Sequence, residues 1–302
     1  MSNEDSLFFT CGLVISADTI VVPAQYNSLP GENMSRVAFC FDGNWVYNDV
    51  DNDVIGSICF RKSDNSVWML GRNGNIRHVA SGSQDFTLDN IRGKFQDHRI
   101  ETGRLGELLC IREIDNNLYI CGQSSQVYRY SNGTWMNISP PGAKIASPTL
   151  ESLDGLSRCD IYAVGEKGHL FHYDGSHWTT LVSPTNRPLS CVLCKSETEI
   201  YACGNEGLLL VGSRDKWAVI DTERTVNFWD MAFYGGQLYL AHVHGLVRYD
   251  GQNFVDIDMG ITPTPGTHKL HARDGVLYSF GVDDIVKFDG KQWQSVVCPH
   301  NI

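Results

Sequence analysis

The sequence LYICGQSSQVYRYSNGTW at residues 118–135 returns as IYAVGEKGHLFHYDGSHW at 161–178 and as IYACGNEGLLLVGSRDKW at 200–217. Each copy begins with a short apolar run that ends at glycine, passes through a turn into a second apolar run, and closes on tryptophan. Self-similarity at a fixed period is the signature of a repeat architecture. One structural unit is therefore expected to build most of the chain.

The same pattern extends over nearly the whole sequence. Further copies occupy 67–86, 238–254 and 277–293, and a degenerate copy ends as VAFCFDGNW at 37–45. The closing aromatics of successive copies are about 41 residues apart on average, the length of one four-stranded propeller blade. These aromatics are Trp45, Phe86, Trp135, Trp178, Trp217, Phe254 and Trp293.

Within each period, short apolar runs alternate with turn residues and no helical periodicity appears. The copy that ends at Trp178 predicts strands at IYAVG, HLFHY and HWTTLV, after an inner strand that precedes Asp160. The sequence thus predicts an all-β fold, a seven-bladed β-propeller with four-stranded antiparallel blades and a single domain over residues 1–302. Two interpretations of residues 7–22 stay open, because they either complete the first blade or close the ring as a borrowed outer strand.

Two inserts interrupt the repeat. Residues 87–106 lengthen the connection into the third blade and bring basic residues together, and residues 139–159 lengthen the next connection and its first hairpin. Long connections on a rigid scaffold are where binding determinants concentrate. The basic residues of the first insert are Arg92, Lys94, Arg99 and Arg104.

The segments VWMLGRNG at 67–74 and GLVRYDGQNF at 245–254 resemble the repeat of regulator-type propellers, which occur in the sensor regions of two-component systems. The resemblance extends over nearly the whole chain. What it implies is the geometry of a blade and not an activity, because the propeller fold hosts many unrelated functions.

Composition narrows the class of protein further. The 302 residues include 35 acidic and 24 basic side chains, giving a formal net charge of −11. That charge argues against a nucleic-acid partner, since binding phosphates requires a basic face. No apolar run is long enough to span a membrane, and the N-terminal MSNEDS lacks the basic residues of an export signal.

The ten cysteines indicate a reducing compartment. Cys121 and Cys203 stand in repeat positions that Val164 and Ala241 fill elsewhere, so cysteine exchanges with small apolar residues. Buried thiols used in this way are typical of cytoplasmic proteins. We therefore expect a cytoplasmic protein without disulfides.

Two short patterns suggest metal sites but lack the remaining ligands. Cys191 and Cys194 form a single CxxC with no second pair at zinc spacing, and His242 and His244 have no evident third ligand. No metal and no cofactor are predicted.

A third pattern resembles the opening of a calcium-binding loop. Asp49, Asp51 and Asp53 alternate as calcium ligands do, but Val54 and Phe60 stand where that loop needs glycine and glutamate. A solvated acidic loop between blades is the favoured interpretation.

No nucleophile elbow, zincin helix or P-loop appears, and no catalytic residue is predicted. The recurring Gly-x-x-Gly segments occur once per blade, which indicates hairpin turns. His268 and His271 precede strand A of the last blade and could point into the central channel, but a hydrogen-bonded residue of the channel wall is the favoured interpretation of such a histidine.

Propeller topology allows the charge to be placed. With the strands of a blade labelled A to D from the channel outward, the B–C turns and the D–A connections lie on one face of the disc. We expect the acidic excess on this face, which we call the B–C face. Its predicted partner-binding residues are Asp49, Asp51, Asp53, Glu166, Glu206, Asp221, Glu223, Asp283 and Asp284.

These observations favour a non-enzymatic, monomeric protein-binding module with a basic protein partner. The most specific hypothesis is an immunity-type inhibitor that occludes a basic toxin or nuclease. The alternative is an enzyme, or a carbohydrate-binding or small-ligand-binding propeller, with its site in the central channel. The lining of that channel discriminates between the two classes.

Overall fold

The computed structural model describes residues 6–29, 31–81, 87, 91 and 95–299. In this part of the chain the strands form seven antiparallel sheets that follow one another in sequence order. The innermost strands of successive sheets contact each other, and the first also contacts the last, so the sheets close into a ring. The predicted seven-bladed propeller is confirmed.

The first blade consists of β1 (Leu7–Phe9), β2 (Leu13–Ser16), β3 (Thr19–Tyr26), β4 (Met34–Phe41) and β5 (Asn44–Asp51). The second consists of β6 (Ile55–Arg61), β7 (Ser66–Gly71), β8 (Asn75–Ala80) and β9 (Gln96–Arg99), and the third of β10 (Leu108–Ile114), β11 (Asn117–Gly122), β12 (Val127–Ser131) and β13 (Thr134–Asn137). The fourth consists of β14 (Leu150–Ser157), β15 (Asp160–Gly165), β16 (Leu170–Tyr173) and β17 (Trp178–Thr180). The fifth blade consists of β18 (Leu189–Ser196), β19 (Glu199–Gly204), β20 (Leu209–Ser213) and β21 (Lys216–Ile220). The sixth consists of β22 (Asp230–Tyr234), β23 (Gln237–His242), β24 (Gly245–Tyr249) and β25 (Phe254–Asp256). The seventh consists of β26 (Lys269–Arg273), β27 (Val276–Phe280), β28 (Ile285–Phe288) and β29 (Trp293–Ser295). Short 3-10 turns at Gln123–Ser125 and Glu166–Gly168 connect strands B and C of the third and fourth blades.

The second strand of each blade is buried on both sides because a neighbouring blade covers each face. In β15 every residue from Asp160 to Gly165 is buried, which explains its continuous apolar sequence. The closing aromatics seal the outer edge of the blades. Trp178 packs on Tyr173 with ring centroids 5.0 Å apart, and its Nε1 donates to the Ile138 carbonyl of the preceding blade at 2.7 Å.

The ring closes without exchange of a strand among the described residues. β1 and β2 pair with successive halves of β3, so they form one interrupted inner strand that completes the first blade. Across the seam, the Phe9 amide donates to the Val282 carbonyl at 2.6 Å, and the Val14 amide donates to His271 Nδ1 at 3.4 Å. The structure therefore favours the first of the two interpretations of residues 7–22.

The second blade differs from the pattern expected at its outer edge. Its strand D is β9, which pairs with β8 and comes from the stretch that the sequence assigned to an insert. Arg77 makes two hydrogen bonds to Asp97 and so joins the two strands. The predicted closing aromatic Phe86 and the insert residues Arg92 and Lys94 lie outside the described residues.

All ten cysteines are free thiols, and eight of them are buried. This confirms the interpretation of cysteine as a small apolar side chain in the repeat. No helix of the described residues is long and apolar enough to cross a membrane.

Candidate functional site

The predicted acidic residues occupy the B–C turns, the D–A connections and the adjoining end of β5. Glu166, Glu206, Asp283 and Asp284 lie in turns between strands B and C, and Asp221 and Glu223 lie in the connection between the fifth and sixth blades. Eight of the nine predicted residues are exposed.

Asp53 is the exception and corrects the expectation of an exposed acidic loop. Its side chain is fully buried, and its carboxylate accepts hydrogen bonds from the amides of Val54, Asn73 and Asn75 and from Asn75 Nδ2. Because the carboxylate is enclosed by these donors, it holds the B–C turn of the second blade and is not available to a partner. The other two members of the Asp49–Asp53 pattern are exposed, so the three carboxylates do not converge on one cation.

Three of the predicted residues meet at one cleft. Glu206, Asp221 and Glu223 line an open depression of about 750 Å³ on the B–C face of the fifth blade, together with Arg187 and Arg224. We call this depression the fifth-blade cleft.

The cations of the cleft are already engaged. Arg187 donates to the Glu206 carbonyl at 3.0 Å, and its Nε lies 3.5 Å from the Glu206 carboxylate. Arg224 pairs with Asp256 at 2.9 Å. Neither Asp221 nor Glu223 forms an ion pair with any residue that the structure describes. The cleft therefore presents two carboxylates whose charge is not neutralised locally.

The remaining acidic residues are distributed around the face, and Asp49, Glu166 and Asp284 have local partners. Arg36 pairs with Asp49 through two hydrogen bonds, Glu166 accepts from the Thr149 amide at 3.1 Å, and Asp284 accepts from the Gly266 amide at 2.8 Å. Burial raises the pKa of Asp283, and the adjacent charge of Asp284 raises it further. The structure thus does not gather all the predicted residues into a single site.

Exposed aliphatic side chains lie among these charges. Val243 and Val282 project from B–C turns, Val182 follows β17, and Val219 lines the fifth-blade cleft. Their exposed fractions range from 50% for Val282 to 82% for Val182. They come from four different blades, and single exposed aliphatic side chains of this kind are common on protein surfaces.

The central channel is polar. A cavity of about 50 Å³ between the inner strands is lined by Ser57, Arg112, Asp230, Lys269 and His271. Toward the B–C face it opens into a larger cavity of about 380 Å³, the channel mouth, which is lined in part by Arg72, Trp229, His268 and again Lys269. Both histidines line this space; His271 lies within β26 and not before it, and its Nδ1 accepts from the Val14 amide, as a residue of the channel wall.

The charges in the channel influence one another. Burial would raise the pKa of Asp230, but Lys269 and Arg112 outweigh burial and lower it, so the carboxylate is ionised. Burial and the nearby Arg112 lower the pKa of His271 to about 3, which keeps its imidazole neutral. Asp230 also accepts hydrogen bonds from the Leu270 amide at 3.0 Å and the Cys191 thiol at 3.1 Å.

Sequence reasoning missed the charged channel residues Arg112, Asp230 and Lys269. The available signal was the position of charged residues inside inner strands, as in LLCIREI at 108–114. That signal could not show that the three side chains converge, because they belong to different blades.

No group of three metal-ligating side chains occurs among the described residues. His242 and His244 are adjacent, with ring centroids 6.4 Å apart, and Cys191 uses its thiol to donate to Asp230. The lining of the channel contains cations, hydroxyls and two carboxylates, Asp230 and Glu151.

Comparison with known proteins gives two kinds of likeness. No family model matches the chain. The propeller resembles the WD40 β-propeller domain of Doa1, with a TM-score of 0.69 and 11% identity over 95% of this chain and 93% of that one. It also resembles YCF48 bound to the D1 peptide, with a TM-score of 0.68 and 14% identity over 92% and 91% of the two chains. At these identities the likeness shows the fold alone.

A sequence relative is more informative. The chain is similar to the immune protein Tsi7 of Pseudomonas aeruginosa, with 29% identity over 298 residues that cover 94% of this chain and 95% of that protein. The molecule is therefore a seven-bladed β-propeller whose sequence resembles that of an immune protein along nearly its entire length.

Proposed function

We propose that this chain is an immunity protein that binds a toxin protein and occludes its active surface. The similarity to an immune protein over nearly the full length of both chains carries the proposal. The absence of a catalytic signature in the sequence is consistent with an inhibitor that acts by binding.

The B–C face is the proposed docking surface. It carries the fifth-blade cleft, where Asp221 and Glu223 lack a local counter-ion, and exposed valines that a partner would bury. Carboxylates arranged in this way attract a basic surface, increase the association rate and oppose partners of the same sign. The toxin is therefore proposed to present a basic patch that is complementary to the cleft.

The proposed location is the cytoplasm, where an immunity protein would meet the toxin inside the cell it protects. Ten free thiols, most of them buried, suit a reducing compartment. The proposed working unit is one propeller with one toxin molecule.

Affinity purification of the tagged chain from its native host, with identification of any protein that it retains, tests this function. The tagged chain should retain one protein in stoichiometric amount at low salt, that protein should stop growth when produced alone, and co-production of the propeller should restore growth. Absence of a stoichiometric partner, or a partner that is harmless in every host tested, would contradict the proposal.

A further inference from the structure

The channel cavity contains hydrogen-bond donors that no described residue satisfies. The Nε of Arg112 is buried and has no acceptor among the described residues. Lys269 lines both the cavity and the channel mouth, and no hydrogen bond or ion pair ties its ammonium to any described residue. A buried guanidinium N–H without a partner costs free energy unless another group accepts its hydrogen bond.

The neutral groups of the cavity add further donors. The Ser57 hydroxyl accepts from the Ile111 amide at 3.0 Å, and the Ser152 hydroxyl accepts from the Val192 amide at 3.3 Å. These contacts join the inner strands of adjacent blades and use only the oxygen of each serine, so both hydroxyl protons remain available. His271 accepts from the Val14 amide through Nδ1, which places its ring proton on Nε2.

Two carboxylates at the channel already accept hydrogen bonds. Asp230 binds the Leu270 amide and the Cys191 thiol, and Asp154 accepts from the Cys194 amide at 2.7 Å. Glu151 is exposed and lies where the cavity joins the mouth. Arg112 and Lys269 are thus balanced in formal charge by Asp230 and Glu151, and the cavity is distinguished by its unpartnered donors and not by an excess of positive charge.

We infer that the channel cavity is a binding site for a small oxyanion, held by Arg112 and Lys269 with the hydroxyls of Ser57 and Ser152 as additional donors. A cavity of about 50 Å³ accommodates a group of a few heavy atoms. Phosphate, sulfate or a single carboxylate has this size and supplies the missing acceptors. The wider mouth admits the group either as a free anion or at the end of a larger molecule. The inference is independent of the proposed function.

Titration of the intact protein with inorganic phosphate and with sulfate, at an ionic strength held constant with chloride, tests the site. Saturable binding is expected in isothermal calorimetry. Arg112→Met and Lys269→Met, which preserve side-chain length, should each weaken binding by at least about tenfold. Lys144→Met removes an exposed cation on the same face and should leave the affinity unchanged. Binding that is absent in the wild type, or equal in all three variants, would overturn the inference.

A second measurement does not depend on the stability of the variants. Crystals of the wild-type protein grown with selenate should show an anomalous peak beside Arg112 and Lys269, and an empty cavity would overturn the inference. Competition then identifies the source of the group. If phosphate weakens binding of the toxin, a carboxylate of the toxin occupies the site in the complex; if phosphate binds without affecting the toxin, the ligand is a free anion.

Discussion

Asp53 lies in a segment whose alternating carboxylates suggest a solvated loop. Its own carboxylate is nevertheless buried, and it supports the B–C turn of the second blade. Four N–H groups converge on it, one from the adjacent Val54 and three from Asn73 and Asn75 at the B–C turn. Asp53→Ala would leave these donors without an acceptor and is expected to lower the free energy of unfolding by about 3 kcal/mol.

Urea denaturation measures this loss, and Asp51→Ala in the same loop is the matched control. Asp51 is exposed, so its removal should change the free energy of unfolding by less than about 0.5 kcal/mol. Equal stability of the two variants would show that the buried hydrogen bonds of Asp53 contribute nothing.

The paired histidines of the second blade predict a dependence of stability on pH. His78 stacks on Trp68 at 4.0 Å, and its Nδ1 lies 3.1 Å from His98 Nε2. Burial, together with the charge of His98, lowers the pKa of His78 to about 4. In the unfolded chain His78 binds a proton below its ordinary pKa, whereas in the folded chain it stays neutral, so stability falls as the pH falls from about 6.5 toward about 4.

His78 alone is expected to reduce the free energy of unfolding by about 2 kcal/mol between pH 7 and pH 5. His78→Gln should remove that part of the loss in urea titrations at the two pH values. His177→Gln, at an exposed position, should retain the full loss. If the free energy of unfolding of His78→Gln depends on pH as that of the wild type does, His78 is not the source of this loss.

At the scale of one residue, the sequence predicts positions that the repeat defines. The closing aromatics and the buried cysteines follow from comparison of one copy with the next. Asp53, Arg112 and Asp230 do not, because their roles depend on neighbours in another turn or another blade. Spacing along the chain does not show which side chains meet across the channel.

At the scale of the element, β1 joins the first blade to the last. Phe9 is 4% exposed and belongs to a cluster that includes Phe280 and Ile285 of the seventh blade. Phe9→Ala is expected to lower the free energy of unfolding by about 4 kcal/mol, since it empties a position at the seam of the ring.

Phe8 provides the control within the same strand, because alternate side chains of a strand point to opposite faces. It is only partly buried, and Phe8→Ala should cost less than about 2 kcal/mol in the same urea experiment. A larger loss for Phe8→Ala than for Phe9→Ala would contradict the burial pattern of β1.

The outer strands differ in how well the sequence predicts them. β17 is recognised because Trp178 follows a tight turn, as the repeat requires. β9 has the sequence QDHR, without an apolar residue, and is held by pairing to β8 and by the Arg77–Asp97 ion pair. An edge strand with one solvated side needs no apolar pattern, so hydrophobic periodicity could not locate it.

At the scale of the whole molecule, the repeat length predicts the fold because seven periods of similar length account for the chain and each period forms one blade. The candidate site is less predictable. Topology assigns charged turns to the correct face, but it does not show which carboxylates are neutralised by neighbours. Asp49 is paired with Arg36, whereas Asp221 and Glu223 keep their charge without an ion pair in the part of the chain described by the structure.

Two double charge reversals distinguish the face through which the toxin is proposed to bind. Glu206→Lys combined with Glu223→Lys reverses two charges of the fifth-blade cleft. Glu197→Lys combined with Asp215→Lys makes the same change in charge at exposed positions of the same blade on the opposite face. Circular dichroism and urea denaturation should confirm that both variants fold.

The deciding measurement is the dissociation constant of each variant for the toxin at low salt. If the toxin docks on the B–C face, reversal in the cleft should weaken binding by about 100-fold, while reversal on the opposite face should change it by less than about threefold. Equal affinities, or a greater loss for the variant of the opposite face, would contradict docking on the B–C face.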